Sequence, residues 1–218
     1  MSPHVPGIGG HGGQTQPLSF TLAGMFPGVA GGNTVTLTGH RANDLCVFFD
    51  WAVNGTAAEP SPSVPAGFSP LIYSGGAVQS RAAISAKKLD GSEGVLTGMA
   101  RTSYSHVGAL LFRPNMGWVG FGWNAGVSIM SGADPAAQTI AIGADTRRPL
   151  LIVGMMATVG AAVIGRVFSP LNEWAPVDGN QYVHYYPVNA GLFGSIGYDQ
   201  GDSAVDNFLG AGYLSFTF

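Results

Sequence analysis

Short apolar or alternating runs, bounded by turn residues, recur along the chain from Leu18 onward. Runs of about four to eight such residues between Gly, Pro, Asn and Asp are typical of β-strands. In the first half the pattern predicts strands over Leu18–Leu22, Thr34–Thr38, Asp44–Val53, Ser69–Ser74, Arg81–Leu89, Gly94–Thr97 and His106–Phe112. In the second half it predicts strands over Thr139–Ile142, Leu150–Val159, Arg166–Ser169, Gln181–Tyr186, Gly194–Tyr198 and Ala211–Phe218.

Two of these runs are apolar without interruption, from Leu45 to Phe49 and from Leu150 to Val153. Strands that are buried on both faces lack the alternation of half-exposed strands. We therefore expect these two strands at the centre of their sheets. Dipeptides that tolerate positive φ separate other runs and predict hairpins at Asp90-Gly91, Asp178-Gly179, Asn54-Gly55 and Gly75-Gly76.

The two halves of the chain resemble each other at three places that occur in the same order. Asp44–Phe48 matches Pro149–Val153, Phe68–Leu71 recurs verbatim as Phe168–Leu171, and Gly108–Phe112 matches Gly212–Phe216. Two copies of one β unit can pair face to face and bury their long apolar strands between them. The sequence thus predicts an all-β fold, a jelly-roll-like β-sandwich built from two related halves. The halves cover about 18–114 and 135–218, joined by an aromatic and glycine-rich connector over 115–134.

The N-terminal segment differs from the rest of the chain. Residues 1–17 are rich in Gly, Pro, His and Gln and show no periodicity. Such a composition cannot bury enough apolar surface to offset its ordering entropy. We therefore predict an extended N-terminal arm over 1–17, either mobile or held by a partner, ahead of a sandwich over 18–218.

Composition and charge exclude several classes of protein. Glycine accounts for 34 of the 218 residues and charged residues for only 10%, which disfavours a helical bundle. The formal net charge of -3 offers no general attraction for nucleic acid, so no nucleic-acid partner is expected. The uncharged stretch 149–165 is shorter than the roughly 20 residues that cross a bilayer, so no membrane insertion is expected. Cys46, the only cysteine, lies in an apolar run and is expected to be a buried hydrophobe.

Sequence patterns of catalytic and metal sites are missing. The five histidines do not show His-x-x-x-His or Glu-x-x-His spacing, and no Gly-x-Ser-x-Gly motif occurs. We therefore predict no catalytic residue, no metal ligand and no cofactor. Asp50, inside an apolar strand, is expected to have a hydrogen-bond partner or to turn outward. The acidic loop of Asp199, Asp202 and Asp206 leaves two alternatives open, a calcium site and a solvated turn.

The most distinctive local feature is the segment Gly117–Asn124, which sets three aromatic side chains among glycines: Trp118, Phe121 and Trp123. Tryptophan supplies a large rigid contact area in interfaces and in carbohydrate recognition. Three roles remain open for these candidate contact residues. They pack between the two halves, contact another subunit, or bind a glycan.

The chain resembles a β-sandwich unit found in many phage and prophage proteins. In that unit a first strand follows a Gly-Asp-like turn, then come a Pro-x-Gly-aromatic turn, an alternating strand with a basic end, and an apolar strand closing in Phe/Tyr-Arg-Gly. The matching residues are Asn43–Phe49, Pro65–Phe68, Ala83–Lys88 with Gly91–Glu93, and Ala109–Arg113. Phe68 stands where Trp is common, and Pro114 where Gly is usual.

The resemblance implies a virion structural protein of a tail, baseplate, fibre or capsid surface, with no catalytic residues to carry over. Its partners would be copies of itself and other virion proteins, and it would be assembled in the host cytoplasm. Two alternatives belong to other classes. One is a carbohydrate-binding receptor or adhesion module that recognises a host-surface glycan, and the other is a β-sandwich hydrolase.

Overall fold

The computed structural model describes residues 17–28, 32–53, 64–74, 80–98, 104–131, 138–141, 150–157, 172–174, 181–188, 195–198 and 207–217. Within these ranges the chain is all-β, as predicted, and contains fourteen strands and no helix. The first seven are β1 (Phe20–Pro27), β2 (Thr34–Thr36), β3 (Leu45–Val53), β4 (Ser69–Ser74), β5 (Ser80–Lys88), β6 (Val95–Thr97) and β7 (Tyr104–Pro114). The others are β8 (Gly120–Ser131), β9 (Gln138–Ala141), β10 (Leu150–Ala157), β11 (Asn172–Trp174), β12 (Gln181–Val188), β13 (Ser195–Tyr198) and β14 (Asn207–Thr217).

Two five-stranded antiparallel sheets form the body of a β-sandwich. Their strand orders are β1-β7-β3-β5-β4 and β11-β12-β10-β14-β8. One continuous core contains side chains of both sheets, which shows that the sheets pack face to face. Its largest members from the first sheet are Phe20, Phe49, Trp51 and Phe112, and from the second Met155, Tyr185, Leu214 and Phe216.

A second apolar layer covers the other face of the first sheet. Cys46 and Phe48 of β3 point away from the sandwich core and pack against Val35 and Leu96 of the two-stranded sheet β2-β6. Residues 45–51 of β3 are therefore buried without interruption, as the continuous apolar run predicted. Residues 150–155 of β10, the central strand of the second sheet, are buried in the same way.

The two sheets share one strand order. Replacing β1 by β8, β2 by β9 and so on to β7 by β14 converts the first sheet into the second, and the pair β2-β6 into the pair β9-β13. The pairing register agrees as well, since Val47 pairs with Leu110 as Leu151 pairs with Leu214, all four in the sandwich core. Two related halves would produce this equivalence, while their common origin and the jelly-roll topology stay predictions.

The predicted alignment of β3 with β10 is wrong by one residue. It places Leu45 on Leu150, but Leu45 belongs to the sandwich core whereas the neighbour Leu151, not Leu150, does so in β10. Because side chains alternate between the faces of a strand, a shift of one residue exchanges buried and outward positions. In the predicted match of β7 with β14, Leu110 and Leu214 both face the core.

Other predictions need correction or lie outside the described residues. The predicted connector 115–134 contains β8, a strand of the second sheet, while the division of the chain into two units stays a prediction. The short strand β11 was not predicted. The hairpin at Asp90-Gly91 is wrong, because β5 pairs with β3 and β4 while β6 pairs with β2. Gly91 nevertheless has the expected positive φ of 94°.

Some predictions fall outside the described residues. These are the arm over residues 1–16, the strand 166–169, the copy 168–171 and the other three predicted turns.

Candidate functional site

The segment that ends at Asp44 and the segment that begins at the last two residues of β7 meet at one end of the sandwich. We call this region the corner and define it as residues 39–44 and 113–119. It connects β7 of the first sheet to β8 of the second sheet. It also contains Trp118, the first of the three aromatic candidates.

Trp118 is a buried residue, and its contacts are those of internal packing, one of the three roles left open by the sequence. Its side chain is buried, with edge-to-face contacts to Phe20 at 5.5 Å and Phe216 at 5.4 Å between ring centroids. Its indole Nε1 donates a hydrogen bond of 2.7 Å to the Asn43 carbonyl oxygen. The Lys88 ammonium lies 5.1 Å from the ring centroid, as in a cation–π contact, and donates a hydrogen bond to the Trp118 carbonyl oxygen. Trp118 therefore packs between the two sheets.

Phe121 and Trp123 point from β8 toward the same core. Both are half-buried and pack against it. The Trp123 ring also covers Gly212 so closely that a Cβ atom at that glycine would lie 2.5 Å from the ring. Of the three roles open for the aromatic segment, internal packing is the one that these contacts support. The exposed positions on this part of β8 are Gly122 and Asn124.

The corner is held by an ion pair that the sequence did not predict. Asp44 is 1% exposed and accepts hydrogen bonds from Arg113 Nε at 3.1 Å and Nη2 at 2.8 Å. The Arg41 backbone N–H donates to the same carboxylate at 3.0 Å. Hydrogen bonding to Asp44 raises the pKa of Arg113. The fork geometry of a guanidinium suits a carboxylate, so Arg113 both neutralises Asp44 and fixes its orientation.

Asn43 has the backbone shape that this arrangement requires. Its φ is 73°, the left-handed region that Asn tolerates better than most residues. The turn aims the Asn43 carbonyl at Trp118 and brings Asp44 under Arg113. The signal available in the sequence was limited to the motif positions of Asn43, Asp44 and Arg113 in the phage resemblance, which assigns them no role.

Asn115 attaches the start of the body to the corner. Its side-chain oxygen accepts a hydrogen bond from Ser19 N at 2.8 Å, and its Nδ2 donates to the Pro17 carbonyl at 3.0 Å. Its own backbone N–H donates to the Ser19 carbonyl at 3.0 Å. Three hydrogen bonds therefore hold residues 17–19, where the predicted arm joins the sandwich.

A second polar cluster lies in the turn between β5 and β6. Lys87 Nζ pairs with Glu93 Oε1 at 2.6 Å and with Asp90 Oδ2 at 3.4 Å. Burial would raise the pKa of Glu93, but hydrogen bonds from Lys87 and from the backbone N–H groups of Asp90 and Gly91 outweigh it and lower that pKa. The Ser92 hydroxyl and N–H lower the pKa of Asp90. This cluster closes a turn.

The remaining groups considered for chemistry lie apart from one another. Cys46 is fully buried, and desolvation raises the pKa of its thiol far above the usual range, so it is a packing residue. Asp50 and His184 are buried on different sheets, and each has an interaction partner. In the part of the chain that the structure describes, no three His, Cys, Asp or Glu side chains come together as metal ligands. Asp199, Asp202 and Asp206 lie outside that part.

Comparison with protein families, with curated proteins and with solved structures finds no match to this chain. Its function must therefore be inferred from its own residues. A search of the described ranges finds no helix with the length and apolar character of a membrane span.

Proposed function

We propose that the protein is a structural component of a bacteriophage particle, a tail, baseplate, fibre or capsid-surface protein that acts by assembly and display. The phage resemblance motivates the proposal, and the β-sandwich fold agrees with it. The observation that carries it is the strand β8 at the edge of the second sheet. Its other side forms no backbone ladder with a strand of the described ranges, while β4 and β9 lie near β8.

The edge strand β8 lacks two of the features that keep sheet edges from pairing with other molecules. Over 12 residues it contains neither a charged residue nor a proline. The other three edges are protected, since β4 contains Pro70, β11 has only three residues, and β1 ends at Pro27. An irregular register occurs in both β1 and β8, in β8 at Gly126, and does not distinguish them. Long uncharged edges invite the addition of a strand. In the particle, β8 of one copy pairs with β8 of another and extends the sheet.

The predicted N-terminal arm, which joins the body at residues 17–19, adds a second means of attachment. Because Asn115 holds residues 17–19 against the corner, the predicted arm would leave the body from a defined place. An arm with a fixed origin can reach a neighbouring subunit with a smaller entropic cost than one that starts from a mobile segment. Many copies acting together then give the affinity that a single contact lacks.

The direct test is a mass-spectrometric inventory of purified particles from the strain that encodes the chain, in which we expect peptides of this protein in stoichiometric amounts.

The pairing of β8 is tested on the purified protein with the exposed Asn124 changed to Lys. A charge on the free edge should convert oligomers into monomers, as measured by light scattering, without changing the melting temperature.

Val95→Lys serves as the control, because Val95 is 61% exposed on β6 and the same charge is added away from the edge of β8. This variant should assemble as the unchanged protein does. A monomeric unchanged protein, or equal assembly of both variants, would show that β8 is not the contact. Absence of the protein from purified particles would refute the virion assignment itself.

A further inference from the structure

The corner contains a small cavity. It has a volume of about 200 Å³ and lies between the loop before β3 and the segment after β7. Its polar lining residues are Arg41, Asn43, Asp44, Arg113 and Asn115. Ligand pockets for drug-sized molecules run from about 300 to 1,000 Å³, so this cavity suits a single small group.

The polar groups of the cavity divide into committed and free ones. The Asp44 carboxylate is occupied by Arg113 and by the Arg41 backbone. Arg113 uses Nε and Nη2, the latter also for the Gly39 carbonyl at 2.9 Å, and no bond of its Nη1 is found among the described residues. The side chains of Arg41 and Asn43 have no hydrogen bond or ion pair within the same ranges.

The cavity therefore carries a net positive charge with free donors. Two arginines, Arg41 and Arg113, line it together with one carboxylate, Asp44, which Arg113 already neutralises. Guanidinium groups bind carboxylates through paired charge-assisted hydrogen bonds. The Asn43 amide offers a donor and an acceptor for hydroxyl groups, and Pro114 and Met116 add apolar surface to the same lining.

We propose that this cavity binds an acidic sugar residue, with the carboxylate on Arg41 and the free edge of Arg113 and the hydroxyls on Asn43. The site is independent of the three aromatic residues, which pack internally, and it goes beyond the proposed virion function. It would give a particle component a means of recognising an acidic surface glycan at the exposed corner.

The test is a calorimetric or NMR titration of the full chain with methyl β-glucuronide. Methyl β-glucoside, which has the same ring without the carboxylate, and inorganic phosphate, which has charge without a ring, are titrated in parallel. We expect saturable binding of the glucuronide alone. Arg41→Gln should weaken it at least tenfold, because it removes the free charge and keeps the backbone N–H that holds Asp44.

A pair of glycine variants tests the location. Gly117 lines the cavity, and a Cβ atom there would meet nothing within 4 Å, so Gly117→Leu fills free space without changing charge. Gly94 has equally open surroundings but does not line the cavity, which makes Gly94→Leu the matched control. We expect loss of binding in the first variant and unchanged binding in the second.

Several results would overturn the proposal. Equal binding of the neutral glucoside would remove the role of the carboxylate, and equal binding of phosphate would reduce the cavity to a general anion site. Unchanged affinity in Arg41→Gln or in Gly117→Leu would place the ligand elsewhere. No glucuronide binding at millimolar concentration would end the proposal while leaving the assembly of β8, measured separately by light scattering, unaffected.

Discussion

Asp44 shows how a single buried charge organises the corner. A carboxylate out of contact with water is costly unless it is paired and hydrogen-bonded. Asp44 meets both conditions, because Arg113 contributes two donors and the Arg41 backbone a third. The pair lies near the connection between β7 and β8, so its loss disturbs the place where Trp118 and Asn115 also act.

Replacing Arg113 by Gln should therefore be strongly destabilising. The change leaves the Asp44 carboxylate buried without its cation, for which we expect a loss of about 2–4 kcal/mol in the free energy of unfolding. Urea unfolding at pH 7 measures the loss. Arg41→Gln is the control, because its side chain is exposed and should change stability by less than about 0.5 kcal/mol. Equal stability of the two variants would contradict the importance of the ion pair.

The turn between β5 and β6 illustrates the element scale. Its strands belong to different sheets, so no ladder of hydrogen bonds fixes the turn. Glu93 fixes the turn instead, since its carboxylate accepts hydrogen bonds from the N–H groups of Asp90 and Gly91 and pairs with Lys87. Gly91, with φ of 94°, supplies the backbone conformation that other residues rarely adopt.

Glu93 should make the stability of the turn depend on pH. Its pKa is lowered from the usual 4.5 in the folded protein, so its stabilising effect is complete above about pH 4.5 and is lost as the pH falls through the folded pKa. Lys87, whose pKa is raised, would lose its effect only as the pH rises above about 10.5. Glu93→Gln should cost about 1 kcal/mol at pH 7. In urea titrations the difference from the unchanged protein should shrink at pH 3. A constant difference would show that the charge is not responsible.

Most strands could be predicted because burial on one or both faces leaves a direct pattern in the sequence. The apolar run of β3 is an example, and its place in the middle of a sheet follows from that run. β8 escaped prediction because glycines interrupt its apolar residues, so Trp118, Phe121 and Trp123 were attributed to a connector. The Asp44–Arg113 pair joins residues separated by 69 positions, and no local pattern signals a contact of that kind.

At the scale of the whole molecule, the first sheet has an apolar layer on each of its two faces. The sandwich core lies on one side of β3, and the β2-β6 layer lies on the other. Cys46 faces that second layer and is fully buried. A thiol in this position is expected to become accessible when the β2-β6 layer separates from the first sheet.

We therefore expect Cys46 to react with thiol reagents only through unfolding. Burial and its raised pKa leave almost no accessible thiolate in the folded protein at neutral pH. The labelling rate should rise with urea, with a slope equal to that of global unfolding if the layers separate together. Rapid labelling in native buffer would contradict the structure, and a smaller slope would show that the β2-β6 layer detaches alone.

The loop 115–120 also touches both extremities of the described body. Asn115 holds Ser19 near the start, and the Val119 N–H donates to the Thr217 carbonyl near the end, at 2.8 Å. Four residues of backbone span at most about 14 Å, so the two extremities emerge side by side. The described body is thus polarised. Fusion partners at either extremity would project from one pole, and a short linker could close the body into a ring suitable for circular permutation.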